Sequence, residues 1–169
     1  MEITFKSVVL FSTLIITGLS AGFFYAWQVS VIPGTLKVSD QVYLQTMQSI
    51  NMEILNPSFF FIFFGTFILL SIGSVYEFNA NLTAFWFILL ATVSYLLGTL
   101  GITIFGNVPL NDQLEALNLN TLSETDLLNF RTHFEGKWNR LHFIRTVFSI
   151  LSFVLLALAL YFDKTKSLN

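Results

Sequence analysis

The stretch LTAFWFILLATVSYLLGTLGITIFG, residues 82–106, decides the fold. A helix rising 1.5 Å per residue needs about 20 apolar residues to cross a ~30 Å hydrocarbon core, and this run supplies them. The surrounding segment from Phe78 to Asn111 contains no formal charge. Working outward, three further runs of similar length stand out: Val8 to Gln28, Ser58 to Tyr76 and Phe143 to Phe162. The expected fold is all-α: a four-span transmembrane helical bundle with short amphipathic helices in the two long connections. Residues 1–169 read as a single integral membrane domain, since four spans leave no room for a separate soluble module. With hydrocarbon as the medium, the few polar side chains inside the spans become the informative ones.

Composition agrees. The chain is 54% hydrophobic and 11% charged, against about 25% charged for a soluble domain. Its net charge of −2 and lack of a basic stripe argue against a nucleic-acid partner. With no cysteine, disulfides, thiolate chemistry, iron–sulfur clusters and Cys-ligated zinc are excluded. A quinone-linked thiol oxidoreductase is excluded for the same reason. Lys6 before an apolar run, with small residues at Ser20-Ala21-Gly22, has the outline of a secretory signal. The run is too long for a signal core and continues into Tyr25, Trp27 and Pro33, so it reads as an uncleaved first span.

Four spans place both termini on one side with Lys6, Lys164 and Lys166. Lys37, Arg131, Lys137 and Arg140 fall on the other. The positive-inside rule does not separate these sets. Cytoplasmic termini are the expected orientation, because the long connections then face outward. The expected setting is the plasma (inner) membrane, multi-pass, with membrane lipids as the surrounding partner. Trp27 and Trp138 at one interface, and Tyr76, Trp86 and Tyr161 at the other, fit aromatic belts.

The connections are unequal. The one between spans two and three is a few residues around Glu77 and Asn79. The other two are long and carry helix signals. After the Pro33-Gly34 turn, Ser39 or Asp40 caps an amphipathic helix with Tyr43, Met47, Ile50 and Ile54 on one face; Asn56-Pro57 ends it. Leu110, Leu114 and Leu117 mark another short helix. Ser123 with Asp126 then starts a helix whose Leu127, Phe130, Phe134, Trp138 and Leu141 lead into span four, with Gly136 as its weak point. Val31-Ile32-Pro33 and Asn107-Val108-Pro109 end spans one and three alike, a hint of internal duplication.

Helical phase sorts the polar residues. Tyr95, Thr99, Thr103 and Asn107 recur every four residues on one face. Trp138, His142, Arg145, Ser149 and Ser152 follow the 4-3-4-3 rhythm of a bundle seam. Thr13, Thr17 and Ser20 do the same in span one, beside a small-residue surface of Gly18, Gly22 and Ala26 that suits helix contact within or between molecules. Span two is dry and rich in Phe, with Gly65 and Gly73 open to a neighbour. The Ser and Thr hydroxyls read as packing, bonded to their own helix carbonyls.

His142 and Arg145 have two readings: interfacial snorkelling, or an inward pair that needs a partner or ligand. Asn107-Val108-Pro109-Leu110-Asn111 likewise is either a helix stop with a following cap, or two carboxamides at the mouth of the bundle. Asn51 on the first connecting helix can face them. Tyr95, near a span centre, is a packing residue that also counts as a candidate substrate contact.

At these positions the chain resembles the anthrone-oxygenase-like membrane proteins. The matching elements are Ala21-Gly22-Phe23-Phe24 through Pro33, Met47-Gln48-Ser49-Ile50-Asn51, Asn107-Val108-Pro109-Leu110-Asn111, and Trp138-Asn139-Arg140-Leu141-His142 with Arg145. The resemblance implies a four-span bundle and, for some relatives, oxidation of anthrones to anthraquinones. An anthrone has an acidic carbon conjugated with its carbonyl, and its anion reacts with dioxygen without a metal or other cofactor. On that expectation His142 is the base, Asn107, Asn111 or Asn51 donates to the oxyanion, and Arg145 supplies charge. Trp138 and Phe faces hold a flat lipophilic small molecule. A two-His-one-carboxylate iron site from His133, His142 and Glu135 requires a break at Gly136, and no metal is expected. The competing class is a non-enzymatic membrane protein that binds or carries a lipophilic small molecule, or serves as an accessory subunit.

Overall fold

The computed structural model describes residues 4–166; the side chains of Lys164 and Lys166, counted above for orientation, lie outside the described residues. Helices α1 (Phe5–Ala26), α4 (Pro57–Ala80), α5 (Leu82–Ser94) and α7 (Glu124–Lys166) are joined by the shorter α2 (Ile32–Thr35), α3 (Asp40–Glu53) and α6 (Val108–Glu115). Four continuous helical runs are long and apolar enough to cross a membrane: Phe5–Thr35, Pro57–Ala80, Leu82–Glu115 and Glu124–Asp163. Around the bundle α1 packs on α4, α4 on α5, α5 on α7, and α7 back on α1. Spans consecutive in the chain are thus spatial neighbours, although only the connection between α4 and α5 is short. Phe61, Val75 and Phe105 stand on the exposed surface, where hydrocarbon is their natural solvent.

Local chemistry sets the helix ends. Thr4 and Ser7 form a reciprocal capping box at the start of α1. Asn56 accepts from the Phe59 N–H to start α4. The α4–α5 turn is one residue, Asn81, whose Oδ1 caps α5 by accepting from Thr83 and Ala84. Ser123 accepts from the Asp126 N–H at the start of α7.

Three expectations need correction. Pro33 and Pro109 do not end their helices. Proline removes an N–H and crowds the carbonyl four residues back. Here a π-helical stretch precedes each one, Trp27–Val31 and Thr103–Asn107, and the wider turn absorbs the conflict. The Ile32 N–H bonds Trp27 O, and the Val108 N–H bonds Thr103 O, each five residues back. The same device at both sites strengthens the likeness between spans one and three. Second, α7 runs unbroken through Gly136. His133 therefore faces outward beside Lys137 at 3.0 Å while His142 is buried, so the break that an iron triad required is not formed. Third, Glu77 is not in a polar connection. It lies within α4, fully buried, with Lys6 Nζ at 2.7 Å from its carboxylate. Lys6 also reaches Asp163, to which Asn81 Nδ2 donates at 3.1 Å. This cluster ties α1, α4 and α7 together at one end of the bundle.

At the other end, α3, α6 and the first turns of α7 form a cap with its own apolar centre, including Tyr43, Leu44, Met47, Leu114 and Phe134. Arg131 fastens the cap. It donates to Thr35 O, Val38 O and Asp40, pairs with Glu135, and lies 4.5 Å over the Tyr43 ring. Burial, then the charge of Glu135, pushes the Tyr43 hydroxyl upward, so it stays a neutral phenol. Gln48 donates to the carbonyls of Leu114 and Leu117, closing the end of α6. The cap thus brings Asn51 and Asn111 over the mouth of the bundle.

Candidate functional site

The seam residues of α7 are all buried: Trp138, His142, Arg145, Ser149 and Ser152. The polar face of the third run, Tyr95, Thr99, Thr103 and Asn107, is buried against it. An α-helix drifts about 40° over four residues. The π-helical stretches Tyr95–Gly101 and Thr103–Asn107 reduce that drift and keep the face turned to α7.

His142 and Arg145 form one unit. Arg145 donates from Nε and Nη2 to His142 Nδ1 at 3.1 and 2.9 Å. A guanidinium has no acceptor, so Nδ1 carries the lone pair and the ring proton sits on Nε2. Nε2 then donates to the Phe24 carbonyl at 3.2 Å, with Thr146 Oγ1 at 3.3 Å. His142 also stacks parallel on Trp138, 5.2 Å between centroids. The imidazole is held in one tautomer, and its basic nitrogen is committed to Arg145. A base role for His142 therefore requires it first to release Arg145.

Arg145 itself has no carboxylate partner among the described residues. Its charge rests on the His142 acceptor, a 3.4 Å contact to Thr103 Oγ1, and the faces of Phe24 and Trp138 at 4.9 and 5.0 Å. Desolvated cation–π contacts of this kind contribute about 2 kcal/mol. Of five N–H groups, three are engaged. A buried cation with donors to spare is costly in a membrane unless a ligand meets it.

That cation lines a cavity of about 60 Å³ together with His142, Trp138, Asn111 and Asn51. Asn111 Oδ1 accepts from Trp138 Nε1 at 2.8 Å, which fixes the indole. Asn51 Nδ2 is buried without a hydrogen-bond partner among the described residues. The remaining walls are largely aromatic: Phe23, Phe24, Trp27 and Phe59. Five of the seven sequence candidates thus share one cavity. The other two do not line it. Asn107 is a clamp, donating to Trp138 O at 3.3 Å, with its own Oδ1 buried and unpartnered among the described residues. Tyr95 lies deeper, its hydroxyl 2.8 Å from Ser20 Oγ and donating to Phe63 O. Trp138, read also as a belt residue, is 4% exposed and serves as a wall.

Sequence reasoning missed Phe24 and Trp27 as site residues. The available signal was weak: both lie in the segment Ala21 to Pro33 that carries part of the resemblance. The role of the Phe24 carbonyl has no signal in residue identity. Among the described residues no group of three or more His, Cys, Asp or Glu is placed to hold a metal ion.

Four apolar helices with a capped polar mouth define an integral membrane protein whose candidate site sits at one end of its bundle. The anthrone oxygenase family matches residues 59–155, more than half of the chain, and the chain belongs to that family. The match includes Asn107, Asn111, Trp138, His142 and Arg145, while Phe24, Trp27 and Asn51 precede it. No curated protein and no solved structure matches the chain.

Proposed function

We propose that this protein uses dioxygen to oxidise a flat, enolisable aromatic ketone, an anthrone or a close relative, bound with its oxyanion on Arg145. The observation that carries the reading is a buried guanidinium with unspent N–H groups and no carboxylate partner among the described residues, lining a cavity with aromatic walls. The family name supplies the reaction class.

The chemistry follows from charge. A cation fixed beside the ketone oxygen stabilises the enolate far more than the neutral ketone, so the C–H across the central ring, conjugated with that oxygen, becomes acidic. The proton leaves to water at the interfacial mouth. The enolate carbon adds dioxygen to give a hydroperoxide, and loss of water leaves a second ketone. One oxygen atom stays in the product and the other departs as water. His142 acts here as a positioning residue: a neutral acceptor that aims Arg145 without cancelling its charge. Asn51 and Asn111 are the neighbouring amides. Substituting Arg145→Gln removes the charge while keeping a donor. Dioxygen uptake with anthrone in nanodiscs is expected to fall about 100-fold toward the empty-disc background. Unchanged uptake in that variant rules the reading out.

The committed lone pair of His142 favours one second reading, a non-enzymatic binder or carrier of a stable aromatic oxyanion. It predicts saturable binding to the wild-type protein with no dioxygen consumed.

A further inference from the structure

A second cavity of about 230 Å³ lies between α1 and α4. It adjoins the Arg145 cavity, with Phe23, Phe24, Ile54 and Phe59 lining both. Their character differs. The first is rimmed by Arg145, Asn51 and Asn111, while the second is almost wholly apolar, with Ile62 and Phe63 in its wall. Depth differs too. Ile62 and Phe63 sit five and six residues into α4 from Pro57, about 8–9 Å along the helix axis. The groove therefore starts at the level of the polar mouth and runs inward between two spans.

The small cavity has room for a handful of water-sized volumes at ~10–15 Å³ each, too little for an entire drug-sized ligand. Only both spaces together approach the ~300 Å³ at which small-molecule sites begin. A ligand filling both has an ionisable oxygen at one end and apolar bulk at the other, oriented as a bilayer lipid is. We infer that the substrate is an amphiphile: an oxygenated aromatic ring at Arg145, carrying an apolar chain that lies in the α1–α4 groove and enters sideways from the membrane. This rests on the reading of the Arg145 cavity as the substrate site and adds the chain and its route.

Hydrocarbon in the groove and hydrocarbon in lipid are equally apolar, so chain length alone gives little affinity. Shape decides, and the test blocks the groove. The probes are 2-hydroxy-1,4-naphthoquinone, an already oxidised ring oxyanion, and its 3-undecyl derivative. Binding is read by quenching of tryptophan fluorescence in nanodiscs, each variant compared with wild type so that lipid partitioning cancels. Ile62→Trp fills the groove wall, and Ser58→Phe fills its exposed rim. Both are expected to weaken the undecyl compound at least tenfold and to leave the chainless one within twofold, which also reports an intact fold. An undecyl compound unaffected by both variants means that ordinary bilayer lipid fills the groove, and the inference falls. Equal losses for both probes in both variants overturn it as well. Dioxygen uptake with a chainless anthrone tests the proposed reaction separately. Uptake without groove selectivity sinks the amphiphile alone, and selectivity without uptake sinks the reaction alone.

Discussion

Arg145 and His142 show how a membrane protein holds an unneutralised charge. A carboxylate beside Arg145 would cancel its field; an imidazole nitrogen orients the guanidinium and leaves the charge in place. His142 is in turn held by the Phe24 carbonyl and the Trp138 face. If the histidine acts through Arg145, its acceptor atom matters and its proton affinity does not. His142→Ala is expected to abolish turnover while membrane insertion survives. His142→Gln, which keeps an acceptor, is expected to recover a measurable part of it, with a pH profile unchanged between pH 6 and 8. A base role predicts instead that glutamine is as inactive as alanine. The single and rescue variants, compared by kcat against pH, separate the two.

The helices make different uses of glycine. A Cβ on Gly98 would fall on the Phe148 ring, so α7 approaches the third span only because that side chain is absent. Gly136 has open space around it and sits mid-helix. The two therefore respond with opposite sign. Gly98→Ala is expected to destabilise by about 1–3 kcal/mol through overpacking. Gly136→Ala is expected to stabilise by about 0.8–1 kcal/mol, since glycine pays the larger backbone entropy. Thermal unfolding in one detergent checks both. The π-helical stretches before Pro33 and Pro109 belong to this scale too. Hydropathy and turn signals located the prolines, but a helix stop and a widened continuous turn look alike in sequence. The choice depends on whether neighbouring helices hold the chain in line beyond the proline.

The whole molecule is a bundle fastened at both ends, by Lys6 with Glu77 and Asp163 at one and by Arg131 under the cap at the other. Breaking a buried pair is worse than removing it. Lys6→Met is expected to destabilise by roughly 3 kcal/mol by stranding Glu77. Adding Glu77→Gln is expected to restore most of that loss, read as detergent-solubilised melting temperatures of the single and double variants. Equal melting of wild type and Lys6→Met removes the fastening role from the pair.

From sequence alone came the medium, the four spans, the capped connections and the buried polar seam. Length, hydropathy and the 3.6-residue turn act within one helix and need no knowledge of neighbours. That logic put His142, Arg145 and Trp138 on one helix face and left open whether it snorkels to the interface or turns inward; their burial shows that it turns inward, towards Asn107. Tertiary packing alone decided what those residues meet. The Phe24 carbonyl is 118 positions from His142 in the chain, and Asn51 reaches the cavity only because α3 folds back over α7. Glu77 was misplaced for the same reason, since burial of a carboxylate at a helix end depends on a lysine from another helix. Periodicity fixes which way a side chain points; which donor, ring or void awaits it there is set by helices that approach from far along the chain.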